Sequence, residues 1–457
     1  MKKIFLLSIL IGAFVGLKAQ KAKQPNIVVI MADDLDSRQL SCYGGTNIKT
    51  TYIDQLASEG MLFNQMIASE AMCVPTRASL FTGLYPARHG SFQNHKGVFD
   101  NLKSVCHYLG DLNYTVALTG KNHSTRPEKV FPFKFIKGFQ PNCVAATDDY
   151  SLDSVRQFIT TRKNPYCLFI MSINPHAPWT LGDPSEFDPQ KLTLPKHWVD
   201  TRQVRQEFCK YLAEVRRLDN QVGDVMKLLK ETGQDKNTVF IFLGEQGAQF
   251  PGAKWTLWDA GQKSSMIVRW PGVVQPGTKT EAIAQYEDVT PTFVDIAGGK
   301  AIANLDGKSF LPVLKNKTAA ARDFAYGIHN NIPEGPAYPI RSIRSTAYKL
   351  LLNLTPDKNY HIKYMMNPAK KDSYWNGWVA KASGNAADQA LIDRIVHRPA
   401  VELYDLKKDP YELHNLANDP QYKSIVQSYQ SKLRAWMKEQ GDTGASMDIR
   451  YEKKKNK

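Results

Sequence analysis

A chain of 457 residues, 42% of them hydrophobic, can bury a large core and exceeds the usual length of one domain, which excludes a small stapled module and general disorder. Its 59 Lys and Arg against 44 Asp and Glu give a formal charge of +15. That balance suits an anionic partner, although a basic solvated surface with a lysine-rich tail (Lys453, Lys454, Lys455, Lys457) accounts for it as well.

In chain order, Lys2 and Lys3 lead into an apolar stretch, Ile4 to Leu17, and then the small-residue site at Ala19. This pattern predicts a cleavable secretory signal over 1–19, too short to span a membrane, and a mature protein that is periplasmic or secreted. Short apolar runs follow at Asn26 to Met31, Thr115 to Leu118, Tyr166 to Ile173, Val239 to Leu243 and Met266 to Val268, and these read as buried strands. Between them Val204, Phe208, Tyr211, Leu212, Val215, Leu218, Val222, Met226 and Leu229 recur at helical spacing, stopped by Gly233. Strands alternating with helices predict an α/β domain over 20–320. After it the texture shifts to Arg341 to Ser345, Tyr348 to Leu354 and Val401 to Tyr404, then a helix over Tyr422 to Met437. That predicts a small α+β subdomain over 321–450 with an antiparallel sheet, ahead of a basic tail at 451–457.

Six cysteines (Cys42, Cys73, Cys106, Cys143, Cys167, Cys209) are too few and too scattered for a disulfide framework or a zinc knuckle. If Cys73 is chemically consumed, five remain and at least one thiol is free; Cys167, in an apolar run, is the expected buried one. No nucleic-acid module signature is present, so an acidic glycan is the favoured polyanion.

Polar residues follow the strands in a pattern. Asp33 and Asp34 follow the first, Lys121 and His123 another, His176 a third, and Glu245 and Gln246 a fourth. Open α/β sheets bind ligands at the carboxyl ends of their strands, so these four ends should converge on one crevice. Two adjacent carboxylates at a strand end can hold calcium, which prefers hard oxygen ligands.

The run Cys73-Val74-Pro75-Thr76-Arg77, with Thr82-Gly83 downstream, resembles the signature of formylglycine-dependent type I sulfatases of the alkaline phosphatase superfamily. Pro75 and Thr76 can begin a helix that sets residue 73 at its positive end, with Arg77 one turn in to hold the hydroxyl or the metal ligands. The resemblance implies an alkaline-phosphatase-like sandwich, a large mixed sheet between helices, with the small C-terminal subdomain attached. It implies that a sulfatase-maturing enzyme oxidises Cys73 to formylglycine. One geminal hydroxyl of the hydrated aldehyde then attacks sulfur, and the other drives elimination of sulfate. Lys121 and Lys254 resemble the family's sulfate-binding cations, His123 the base for the second hydroxyl, and His176 the acid for the leaving group. Asp33, Asp34, Cys73, Glu245 and Gln246 fall where the family holds calcium. Glu245 and Gln246 depart from its Asp and Asn or His by one methylene each.

Segments around Lys121, Phe250 and Tyr338 are similar to N-sulfoglucosamine sulfohydrolase-like carbohydrate sulfatases, which implies N-sulfate or O-sulfate release from the non-reducing-end sugar of a glycan such as heparan sulfate. His95, in the loop Asn94 to Phe99, and the segment with His329, Asn330, Asn331, Glu334 and Arg341 are expected to contact the sugar. The loop at Asn94 to Phe99 replaces a His-rich stretch of those relatives, which keeps open an O-sulfatase acting on galactose or hexosamine of mucin or chondroitin. Two other readings stay open: a phosphodiesterase or phosphonate hydrolase of the same superfamily, and a non-catalytic glycan-binding descendant.

Overall fold

In the computed structural model, which describes residues 24–145, 147, 150–370 and 373–448, twelve strands form two sheets. The expected leader at 1–19 and tail at 451–457 lie outside the described residues. The large sheet contains β1 (Asn26–Met31), β2 (Met61–Ile67), β3 (Thr115–Gly120), β4 (Lys134–Phe135), β5 (Tyr166–Met171), β6 (Thr238–Leu243), β7 (Lys263–Arg269) and β8 (Thr278–Gln285), in the order β4-β3-β5-β1-β6-β7-β2-β8. Only β7 runs antiparallel to its neighbours, β6 and β2, so the sheet is mixed.

The unbroken apolar runs of β1, β5 and β6 follow from burial on both faces. Their period of two sends Val28, Ile30, Leu168, Ile170, Phe240 and Phe242 into one core, beneath the helix Arg202–Glu231. Ile27, Val29, Phe169, Ile241 and Leu243 go to the opposite core, against the helices Val105–Gly110 and Val289–Ile296. The long helix exceeds the predicted span slightly; the Thr201 side chain caps it by accepting from the Val204 N–H.

The small sheet pairs β9 (Ala325–His329), β10 (Ile340–Arg344), β11 (Tyr348–Asn353) and β12 (Val401–Asp405) in the antiparallel order β12-β11-β10-β9. Ile328, Ile343, Leu350 and Leu403 pack under the helix Lys423–Glu439 through Leu433 and Trp436. The opposite face, with Ile340, Leu351 and Tyr404, joins the core beneath Arg202–Glu231. The helix Leu311–Lys315 still packs in the first domain's core, so the change of sheet falls between Lys315 and Ala325.

Strands β2, β4, β8 and β9 are absent from the sequence reading. Asn64 and Gln65 interrupt the apolar run of β2 at a shift in its pairing register, and β8 is a polar edge strand with exposed Lys279 and Glu281.

Register positions the site. Met31 pairs with both Met171 and Leu243, and Gly120 pairs with Met171, so β3, β5, β1 and β6 end level with one another. At the usual strand spacing, the four following loops start within roughly 14 Å of one another.

Candidate active site

The helix Cys73–Thr82 begins at Cys73 itself, which places that residue at the positive end of the helix. Pro75 lies in the first turn, where its missing N–H costs nothing. Gly83, with φ 73°, closes the helix in the left-handed conformation. The Cys73 thiol is 3% exposed, with Asp33 Oδ1 at 3.6 Å, Asp34 Oδ1 at 3.9 Å and Gln246 Nε2 at 3.4 Å.

The four strand ends deliver their residues to this thiol. Asp34 sits at φ 60°, a left-handed conformation that a non-glycine residue holds only under local constraint. Gly120 has φ 88°, and a Cβ there would lie 2.1 Å from Met171 O, so only glycine lets the chain turn into Lys121. Gly247 is equally confined, since a Cβ would meet Ala260 O at 1.7 Å.

Three cations face three carboxylates in this buried cluster. Lys121 Nζ lies 2.5 Å from Asp33 Oδ2, Lys254 Nζ 2.6 Å from Asp34 Oδ2, and Arg77 Nε 2.5 Å from Glu245 Oε1. Burial alone would raise the Asp33 pKa, but Lys121, then His176 and Arg77, outweigh it and hold the carboxyl ionised. Burial, then the Glu245 charge, pushes the Cys73 thiol up against the pull of Lys121 and Lys254, so the encoded thiol stays protonated.

The two histidines are driven in opposite directions. Burial, then the positive charges of Lys121 and Arg77, lowers His123 to about 2, so the ring is neutral. Burial also opposes charge on His176, but Asp33 and Asp34 outweigh it and raise its pKa. Opposed shifts on paired titratable groups divide the roles of acid and base.

The oxygen donors suit a hard divalent cation. Oxygens of Asp33, Asp34 and Glu245 and the sulfur of Cys73 all lie within 4.8 Å of one another. The Gln246 amide reaches the same point, its Nε2 donating to Asp34 Oδ1 at 2.6 Å and Glu245 Oε2 at 2.8 Å, while its buried Oε1 has no partner. Turning this amide over would direct that oxygen at the carboxylates as a further ligand. The extra methylene of Glu245 is used to reach Arg77 with one oxygen while the other stays in the cluster.

A crevice of about 930 Å³ opens over Cys73 and is also lined by His95, His123, His176, Lys254 and Glu334. Two expected sugar contacts are corrected here. Arg341 is fully buried, held by Asp442 and Asp448, and His329 is fully buried between Glu70 and Asn331; neither lines the crevice. Both sit in the small sheet with their polar atoms satisfied, Arg341 by carboxylates about a hundred residues onward and His329 by distant Glu70 and neighbouring Asn331. Asn330 is likewise enclosed, donating to Phe92 O at 3.0 Å.

Several crevice residues escaped the sequence reading. Cys143 Sγ lies 3.6 Å from His123 Nε2, and Trp255, at φ 67°, stacks on the half-exposed Tyr364. Only Trp255 had a local signal, its place directly after Lys254.

Comparison with known proteins agrees with this geometry. The sulfatase family model matches residues 25–299, and the N-sulphoglucosamine sulphohydrolase C-terminal model matches residues 251–373. The chain is 33% identical to an ulvan-active sulfatase of Formosa agariphila over 92% of this chain and 81% of that one. It is 26% identical to human N-sulphoglucosamine sulphohydrolase over 92% and 91%. A protein solved in complex with its substrate D-glucosamine-2-N,6-O-disulfate superposes with a TM-score of 0.70 at 20% identity, covering 92% of this chain and 99% of that one. The chain belongs to the sulfatase family. It has the alkaline-phosphatase-like fold and is a sulfuric ester hydrolase.

Proposed function

We propose that this enzyme is an exported carbohydrate sulfatase that removes sulfate from the non-reducing-end sugar of a sulfated glycan, acting through formylglycine at position 73 and a calcium ion. The observation that carries the reading is the Cys73 thiol at a helix start, kept protonated by its surroundings and flanked by three buried cation–carboxylate pairs. A thiol held protonated is a poor nucleophile, so we assign the attack to formylglycine made from it by a sulfatase-maturing enzyme. Formylglycine supplies the attacking hydroxyl and a second one for release of sulfate, and calcium supplies charge neutralisation at the sulfate oxygens.

The chain's own residues supply the rest. Asp33, Asp34, Glu245 and Gln246 would hold the metal. Lys121 and Lys254 bind sulfate oxygens, their charges held near Asp33 and Asp34 until an anion enters. Arg77, locked by Glu245, orients residue 73 and the metal ligands. His123 takes a proton from residue 73, and His176 gives one to the leaving oxygen or nitrogen.

For the sugar, glucosamine N-sulfate of the heparan type is the first reading, supported by the match over 251–373. Identity of 33% to an ulvan-active sulfatase favours a second, an O-sulfated polysaccharide unit. No helix among the described residues is long and apolar enough to cross a membrane. The leader-like segment 1–19 supports a periplasmic or secreted enzyme. Sulfate release from a panel of N-, 2-O-, 3-O-, 4-O- and 6-O-sulfated monosaccharides and disaccharides tests the assignment. Release from O-sulfated sugars with none from glucosamine N-sulfate would overturn the first reading, and phosphonate or phosphodiester cleavage without sulfate release would overturn both.

A further inference from the structure

The crevice contains two carboxylates that neither the proposed metal nor the sulfate machinery uses, and one of them, Glu207, is paired with Lys210 at 2.7 Å. Glu334 lines the crevice together with Cys73, is 2% exposed, and follows β9 in the small subdomain. Its Oε1 accepts from Asn94 Nδ2 at 2.7 Å and lies 3.4 Å from His95 Nε2. Its other oxygen, Oε2, is buried and has no partner among the described residues.

The position of this carboxylate is fixed relative to the nucleophile. Asn94 Oδ1 accepts from the Val74 N–H at 3.3 Å, one residue from Cys73, while the Asn94 N–H donates to Ile332 O at 3.1 Å. The Glu334 carbonyl accepts from the Lys363 N–H at 2.9 Å. His95 at φ 62° and Asn331 at φ 64° flank this junction in left-handed conformations, which persist only where surrounding structure enforces them. A buried acceptor without a donor is costly, and the residue that carries this one lines the crevice that opens over residue 73.

The geometry points to Glu334 as a specificity residue: its Oε2 accepts a hydrogen bond from a hydroxyl or N–H of the sugar next to the sulfated position, and its charge excludes a second sulfate there. Lys254 and Lys370 also stand on its walls, while the Lys210 charge is matched by Glu207. A fixed carboxylate among them discriminates by position, because it rewards a neutral donor and repels a neighbouring oxyanion. A site built to bond one hydroxyl rejects an analogue lacking it far more strongly than an apolar pocket rejects a methylene.

This inference rests on the carbohydrate sulfatase reading, and the test separates the two. Wild-type enzyme is first assayed for sulfate release from nitrophenyl sulfate and from the sulfated sugar panel; failure on every sugar defeats the functional reading itself. For the best sugar, Glu334→Gln and Glu334→Ala are compared with wild type on three probes: that sugar, its counterpart carrying a second sulfate at the adjacent hydroxyl, and nitrophenyl sulfate. The expected result is a loss in kcat/KM of roughly 10- to 100-fold on the singly sulfated sugar, well beyond any loss on nitrophenyl sulfate, and a gain relative to wild type on the doubly sulfated one. Equal losses on all three probes would assign Glu334 to holding Asn94 and overturn the proposal. So would unchanged discrimination between the singly and doubly sulfated sugars. Loss of folding in Glu334→Ala is controlled by Glu334→Gln, which keeps the shape and the acceptor for Asn94.

Discussion

Arg77 and Glu245 form an ion pair at 2.5 Å in which the side chains are 1% and 0% exposed, joining the helix that carries Cys73 to the loop after β6. Removing one partner of such a pair leaves an uncompensated buried charge. Glu245→Gln is therefore expected to destabilise the fold by about 3–5 kcal/mol, read from denaturant midpoints. It should also weaken calcium binding, since a charged ligand is lost. Unchanged midpoints would mean that the pair is solvated in the native protein.

Purified enzyme is expected to carry one calcium per chain, and a chelator should remove both metal and activity. Gln246→Leu, which keeps bulk but deletes the amide oxygen, should lower calcium affinity measured by titration calorimetry. Metal analysis showing no calcium, with activity insensitive to chelator, would count against the donor set of Asp33, Asp34, Glu245 and Gln246.

Cys73→Ala is expected to abolish turnover, by more than roughly 10⁴-fold, while far-ultraviolet circular dichroism and the melting temperature stay close to wild type. The side chain makes only long sulfur contacts, so little packing is lost. Mass spectrometry of the peptide containing residue 73 from active enzyme should show the aldehyde and its hydrate. Full activity with an unmodified cysteine would refute the formylglycine mechanism.

His89 gives a pH signature unrelated to the catalytic groups. It is fully buried; its Nδ1 accepts from the Ser91 N–H at 3.1 Å, leaving Nε2 to donate to Ser79 Oγ at 3.2 Å, which fixes the neutral ring. Burial lowers its pKa from 6.5 to about 3. Between those values the unfolded chain binds a proton that the folded chain does not. Stability therefore holds above about pH 6.5 and is lost as pH falls toward 3. His89→Gln should make the decline from about pH 7 to about pH 4 shallower in thermal melts. An identical acid limb would place the lability elsewhere.

The amino-acid sequence by itself determined the α/β alternation, the strand ends and the Cys73-to-Arg77 signature, because each is written in neighbours a few residues apart: a period of two for Val28 and Ile30, a polar pair directly after β1, a proline in the first helical turn. Strands β2 and β8 were invisible for the complementary reason, since their burial comes from pairing partners some two hundred residues away rather than from their own composition. Tertiary structure alone decided the fates of the polar residues after β8. Arg341 looked like a sugar contact, yet it is enclosed by Asp442 and Asp448, about a hundred residues onward. Glu334, nine residues past the start of β9, lines the crevice with one oxygen unpartnered among the described residues, while Asn94, 240 positions earlier, donates to the other one. Which face a charged side chain turns to depends on whether a partner meets it in the folded core, where an unpaired charge is costly, and that meeting is set by long-range packing rather than by local sequence.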